Sequence, residues 1–419
     1  MPEITIKGDT SLVGDIVVKG SKEALLNIIV QSLYNTTPIL LENVQLCSEV
    51  STLIEVLKTL GVQLEQVSKS RIRVSPMGLS QFEIPYAYGA KSKNALLLVG
   101  PLLKKFGKAI VPIPLHEDPK YLDKIRDMWQ AAGIEVVSDS SHYVLRANFS
   151  ENCTLHIVNH DSFLSYLALS LTYNFSKTAI ANLSNLPEVE MTLEYMRANE
   201  IHIDNISQQM IFTSEKFCTL SEFTIPSDIK DSIIYIVATL LTKGNVTLKN
   251  VSRDNLFGFT SLLSKMGFRY EFGTSDIRVW RAKSEKEPLN LNYTDKTLIN
   301  YNALPYIVLL ALCTQGDSYI YMENAAVCKE LSKELNRMGT KIKLHVSSED
   351  MDYVNITSPT KLKGIKTSVT DLDVAIPLII AAISAGTETE ISVSDELNND
   401  LSEILLGFSK LGAIIDINA

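Results

Sequence analysis

Several short stretches of this chain combine side chains that could hold an anion and move a proton. Lys91-Ser92-Lys93-Asn94 sets two ammonium groups directly before an apolar run. If that run is a helix, its first N–H groups lack intrahelical partners and reinforce the lysines as an anion site. The other reading is a solvated basic turn. Downstream, His116-Glu117-Asp118-Pro119-Lys120 offers an imidazole and two carboxylates, groups suited to proton transfer, beside a further cation. Lys22 and Glu23 adjoin at the start of another apolar run, and Ser162 opens a third within His160-Asp161-Ser162-Phe163-Leu164.

Other chemistries find no support. There is no glycine-rich phosphate loop, no HExxH and no Gly-x-Ser-x-Gly. His156 and His160 are four apart, but 154–158 reads as a strand, where such residues share a face yet lie far from one another. No metal is expected. The five cysteines, Cys47, Cys153, Cys218, Cys313 and Cys328, are scattered and form no CxxC, so neither a disulfide framework nor a thiolate metal site is indicated. A net charge of -9 argues against nucleic-acid partners. No apolar run reaches membrane-spanning length and the first residues carry no leader pattern, so a cytoplasmic protein is expected.

These candidate residues must be positioned by regular elements, and the chain repeats itself. One phrase is a short amphipathic helix, a turn and an alternating strand, as in 53–67, 125–138, 193–206, 262–273, 331–346 and 404–419. Its turns fall at Gly61, Gly133, about Glu200, Gly267, Gly339 and Gly412, a period of about 70 residues. Glycine suits a helix end, where the backbone turns left-handed. A second phrase lies between copies of the first: a nearly all-apolar helix, a stop and a strand, as in 23–44, 94–113, 162–184, 231–251, 303–325 and 373–394. Helices apolar all round belong in the interior, whereas the charged faces of the first set belong outside.

Six units of this length, three and three, predict an α/β protein with two lobes. The opening strands, within 5–20, precede the first buried helix and could cover the bare edge of the last unit. That predicts lobe B at 21–228 and lobe A at 1–20 plus 229–419, with the chain crossing twice.

The length, the six repeats, the GDTSLVGDIVVKGSKEALL opening and the TLGV and KLGA turns together resemble the enolpyruvyl transferases. The likeness is greater to the UDP-N-acetylglucosamine 1-carboxyvinyltransferase branch than to the 3-phosphoshikimate branch. The resemblance covers essentially the whole chain. It implies a two-lobed inside-out α/β barrel of six βαβαββ units. It also implies transfer of an enolpyruvyl group from phosphoenolpyruvate to a hydroxyl, with a small anionic substrate in the interlobe cleft and no cofactor.

Matched residue by residue, the resemblance keeps Lys22 and replaces much else. An asparagine of the family becomes Glu23, and a phosphoenolpyruvate-binding arginine becomes Lys93, which lacks the bidentate fork. The loop that carries a reactive cysteine and an arginine is shorter here and has neither, leaving Asp118 or His116 as proton donors and Lys120 as a cation. The family's Lys-x-Ser-Val-Gly becomes the stretch from His160 to Leu164, with Ser162 surviving to contact a phosphate. The catalytic aspartate aligns with Asn302, and three arginines align with Ala325, Asp373 and Asn398-Asn399. The resemblance therefore leaves two readings: a divergent transferase with a different acceptor, or an inactive homologue that keeps the scaffold for binding or assembly.

Overall fold

In a computed structural model, the structure describes residues 2–206, 209–213, 218–282, 287–293, 303–347 and 351–418. The chain forms two compact units, residues 1–19 with 227–419, and residues 20–226.

Among the described residues, each unit is built from three small sheets, three buried helices and three outer helices. In the 20–226 unit the buried helices are Lys22–Ser32, Val99–Phe106 and Ser162–Leu171. Helix Ser162–Leu171 packs against both of the others. In the other unit, Ile229–Leu241, Leu304–Ala311 and Leu372–Ser384 pack mutually. Nearly every side chain of these helices is buried, as their all-round apolar sequence requires. The outer helices bury one stripe only. Ser48–Thr59, for example, buries Val50, Leu53, Val56 and Leu57, the spacing of a single helical face.

The turns after the outer helices are left-handed, and the repeated phrase had marked their positions. Gly61, Gly133, Gly267, Gly339 and Gly412 all have positive φ, between 77° and 101°. Glu200 adopts the same conformation at φ 62°, although it has a side chain. The turn is thus imposed by the repeat even where the sequence lacks the residue that adopts it most readily.

Among the described residues, five of the sheets have four strands and one has three. The sheet of the third repeat gives the common plan. The strand after the buried helix, Lys177–Ala181, pairs in parallel with Asn152–His156 and antiparallel with Gln209–Thr213, which in turn pairs with His202–Ile206.

The first strand of the chain does not cover an edge. Glu3–Lys7 lies between Thr389–Ser392 and Ile414–Asn418, antiparallel to both, with Ile4 opposite Ile391 and Ile417. Its Ile4 and Ile6 are fully buried, so the last repeat takes its central strand from the beginning of the chain. An alternating strand with two buried isoleucines loses more apolar contact at an edge than in the middle. The next strand, Val13–Val17, joins the fourth repeat in parallel with Asn245–Lys249. The 20–226 unit closes by the same device: Glu222–Thr224 runs parallel to Ile39–Glu42 of the first repeat.

No helix among the described residues is long and apolar enough to cross a membrane.

Candidate functional site

In the 20–226 unit the starts of the three buried-helix segments line one cavity of about 420 Å³. Each start follows from a polar residue ahead of an apolar run. Ser21 Oγ accepts the Ala24 N–H at the head of Lys22–Ser32. Ser92 Oγ accepts from Asn94, opening a 3₁₀ turn, Lys93–Leu98, that leads into Val99–Phe106. The Asp161 carboxylate accepts the Leu164 N–H at 2.9 Å at the head of Ser162–Leu171. The cavity is lined by Glu23, Leu26 and Asn27 from the first helix and by Lys91 to Asn94 from the second. Ser162, Phe163 and Tyr166 line it from the third, with Glu49 and Glu117 from elsewhere in the unit.

Lys93 is already engaged. Its ammonium lies 3.4 Å from Glu117 Oε1, and 5.2 and 5.5 Å from the ring centres of Phe163 and Tyr121. The carboxylate and the two ring faces together replace much of the water a free lysine would have. The Tyr121 hydroxyl donates to Asp161 Oδ1 at 2.7 Å. Burial, followed by that bond to a carboxylate, pushes its phenol far above the ordinary range, so Tyr121 stays a donor. The Asp161 carboxylate therefore occupies the helix start where the resemblance would seat a phosphate beside Ser162.

The loop expected to supply proton groups is tied down. Ile113 N–H donates to Ser141 O and Leu115 N–H to Ala90 O. Asp118 then caps the helix Pro119–Ala131, accepting the Lys120 N–H at 3.0 Å, with proline in the first turn as helix starts favour. His116, Asp118 and Lys120 are exposed and none of them lines the cavity.

The sequence candidates thus separate. Glu23, Lys93 and Ser162 meet at one cavity, with Lys22 next to Glu23 as the first residue of its helix. His160 lines a different cavity of about 590 Å³, together with Asn182, Ser184, Asn185, Glu190 and Asn205. Its backbone has φ 52°, and its Nδ1 lies 3.4 Å from Leu183 O. Asn302 lies outside the described residues.

Leu26, Asn27, Glu49 and Tyr166 line the cavity but were not singled out from sequence. Glu49 sits in the first turn of an outer helix. Tyr166 lies one helical turn beyond Ser162, a spacing that could have found it. The contact between Tyr121 and Asp161, forty positions apart, has no such signal.

In the other unit, the positions that the resemblance assigns to arginine hold different groups. Asp373 Oδ1 pairs with Lys230 Nζ at 2.9 Å, next to Asp371, which caps Leu372–Ser384. The Ala325 N–H donates to Asp352 Oδ2 at 2.8 Å. Asn398 and Asn399 fall within the helix Asp395–Lys410.

Burial pushes the Cys47 thiol up, as it does Cys153 and Cys218, both to about 11, and Cys328 to about 12. These thiols stay protonated near neutral pH and are poor nucleophiles. Among the described residues, no group of three or more His, Cys, Asp or Glu is placed to hold a metal ion.

Comparison with known proteins follows the same lines. The chain is 24% identical to UDP-N-acetylglucosamine 1-carboxyvinyltransferase 1 of Staphylococcus aureus (strain N315), covering 99% of each chain. It is 22% identical to the enzyme of the same name from Legionella pneumophila (strain Lens), covering 98% of this chain and 82% of the relative. Among solved structures, the enolpyruvyl transferase NikO from Streptomyces tendae superposes with a TM-score of 0.85 at 18% identity. That match covers 100% of this chain and 99% of the other. EPSP synthase from Acinetobacter baumannii superposes at 0.81, with 13% identity and full coverage of both chains. The family model for EPSP synthase (3-phosphoshikimate 1-carboxyvinyltransferase) matches residues 6–401, nearly the whole length, and the chain belongs to that enolpyruvyl transferase family.

Proposed function

We propose that this chain is an enolpyruvyl transferase family protein whose 20–226 cavity has changed from holding polyanions to holding a small polar ligand of little net negative charge. The observation that carries this reading is the Glu117 carboxylate set against Lys93, in a cavity that Glu23 and Glu49 also line. A phosphate or diphosphate entering there would meet carboxylates as well as ammonium groups. Like charges at close range are unfavourable even at the effective dielectric of a protein surface.

Enolpyruvyl transfer requires an acceptor hydroxyl to give its proton to a base and bond C2 of phosphoenolpyruvate through its oxygen, while an acid protonates C3. The C3 proton and inorganic phosphate then leave. The resemblance carries the donor-phosphate cation over to Lys22, and His116 or Asp118, neither of which lines the cavity, would have to supply the proton. Asp118, however, is used as a helix cap, and Asp373 is paired with Lys230. Binding without turnover is therefore the better supported form of the proposal. Transfer to a less charged hydroxyl acceptor is the second form, and it rests on Lys22 keeping its place at the head of its helix.

The test is direct. Purified protein is mixed with phosphoenolpyruvate and a panel of hydroxyl acceptors, UDP-N-acetylglucosamine included, and phosphate release and new mass peaks are followed. No turnover, together with weak calorimetric binding of both anions, is the expected result. Phosphate release that Lys22→Ala abolishes would establish the transferase form. Tight binding of UDP-N-acetylglucosamine would overturn the proposal.

A further inference from the structure

The fifth repeat differs from the others on the side of its sheet that faces away from the core. This sheet runs Asn290–Asn292, Gly316–Met322, Asp352–Ser358 and Lys341–His345 from one edge to the other. Alternate residues pack inward, and Ile320, Val354 and Ile356 are fully buried. Their chain neighbours point the other way. There the register sets Tyr321 opposite Tyr353, and Tyr353 opposite His345. Ring centres are 5.5 Å apart between Tyr321 and Tyr353, 6.0 Å between Tyr319 and Tyr353, and 4.3 Å between Tyr353 and His345. The three tyrosines are partly exposed and His345 is exposed.

Cross-strand ring pairs stabilise a sheet, but this fold does not need them at these positions. Among the described residues, the outward positions of the other five sheets hold one tyrosine, phenylalanine or tryptophan between them, Trp280. Three of those sheets also neutralise outward cations internally: Lys366 pairs with Glu3 and Glu390, Lys249 with Asp15, and Arg73 with Glu65. Lys341 and Lys343 share the outward face of the fifth sheet with the rings, both exposed and in no ion pair among the described residues. Asp317, the one carboxylate that these strands turn outward, accepts the Thr357 hydroxyl at 2.6 Å. The chain-wide charge of -9 is therefore not the charge of this face.

We propose that this face binds single-stranded nucleic acid: bases stack on Tyr319, Tyr321 and the open side of His345, and Lys341 and Lys343 meet the phosphates. Stacking on Tyr353 uses one side of the imidazole, and the exposed edge strand leaves the other side to solvent. Every base has a face that can stack on such rings, and rings on the middle strands of a four-stranded sheet, beside free cations, suit that task. Two phosphate contacts on a chain of net charge -9 make the binding weak and sensitive to salt. The sheet belongs to the unit of residues 1–19 with 227–419, and it binds independently of the 20–226 cavity.

The full chain is titrated with fluorescent oligo(dT) and oligo(U) of about ten nucleotides at about 50 mM salt, with cellohexaose as an uncharged probe. Binding of either oligonucleotide with a dissociation constant of about 1–100 µM is expected. The logarithm of the association constant should fall against that of salt with a slope of about -1.4, the value for two contacts to a single strand. Tyr319→Thr with Tyr321→Thr keeps strand propensity and should weaken binding at least about fivefold, with the slope retained. Lys341→Gln with Lys343→Gln should remove most of the slope. If the tyrosine variant melts at a lower temperature, the lysine variant decides alone, because it deletes exposed charges and no packing. No binding at about 100 µM in low salt, or binding that both variants leave unchanged, overturns the proposal. Cellohexaose binding or self-association that the tyrosine variant removes, without oligonucleotide binding, assigns the face to a glycan or to a second copy and overturns it too.

Discussion

The two units carry the same architecture but finish the starts of their buried helices differently. In the 20–226 unit, two of the three starts are capped by serines, Ser21 and Ser92. In the other unit, aspartates cap two starts, Asp228 and Asp371, with Asp231 and Asp373 in the first turn. A serine satisfies one backbone donor and leaves the positive end of the helix dipole available to a ligand. An aspartate satisfies the donor and neutralises that end at once. Lys230, the one lysine among those acids, is held by Asp373. A buried tyrosine hydroxyl without a partner, that of Tyr306, feels the charges of Asp373, Asp231 and Asp228. The lesson is one of degree: the 20–226 unit closes one of its three helix starts with an aspartate, Asp161, and the other unit closes two, with Asp228 and Asp371.

Four experiments would break or sharpen that contrast. The largest effect is expected from the closest backbone approach in the 20–226 unit. A Cβ on Gly100 would lie 2.1 Å from the Ser170 carbonyl oxygen. Gly100→Ala should destabilise the protein by about 1–3 kcal/mol, because main chain must move, and should disturb the packing on Ser162–Leu171, whose start lines the cavity. In the other unit the matching test is Gly407→Ala, whose Cβ meets the Tyr235 hydroxyl rather than backbone. A side chain can give way, so its cost measured by chemical denaturation should be lower. Equal costs would show that the two cores are equally rigid.

The second experiment uses pH. Asp352 accepts the Ala325 and Ser347 N–H groups, which hold its carboxyl below the usual 3.8. A depressed carboxylate stabilises the fold above its unfolded pKa and loses that contribution as pH falls through the folded value. Wild-type melting temperature should therefore drop below about pH 4. Asp352→Asn should lower it at neutral pH and flatten part of the acid limb. An unchanged acid limb would remove Asp352 as a pillar of the helix start that replaces an arginine site.

Third, Glu200→Gly should stabilise by about 0.5–1 kcal/mol, since the left-handed turn suits glycine, with the unfolded-state entropy of glycine limiting the gain. Gly267→Ala, the same turn in the other unit, should destabilise. Opposite signs would confirm that the repeat dictates the turn. The smallest effects are expected from Lys93→Met and Lys230→Met. Every partner in the two ion pairs is a quarter or more exposed, so each pair is worth at most about 1 kcal/mol. Their value lies in ligand binding, where Lys93→Met should matter and Lys230→Met should not.

Much of this protein was legible in its residues. Periodicity separated buried from outer helices, because an interior helix must be apolar on every side and a surface helix on only one. The recurring glycines located the turns, including the one at Glu200 where glycine is missing. The position of Glu3–Lys7 was harder to read. Period alone shows that a strand exists, but pairing across some four hundred residues depends on which bare sheet its buried isoleucines fill.

The candidate site divides in the same way. The family resemblance, matched residue by residue, brought out Lys22, Glu23, Lys93 and Ser162, each of which stands ahead of or at the start of an apolar run in the sequence. Tertiary structure alone decided that Glu117 neutralises Lys93, that Asp161 accepts from Tyr121, that the Tyr166 hydroxyl is buried without a partner, and that His160 belongs to another cavity. Those contacts join segments tens of residues apart, and no local pattern encodes which carboxylate will reach which cation.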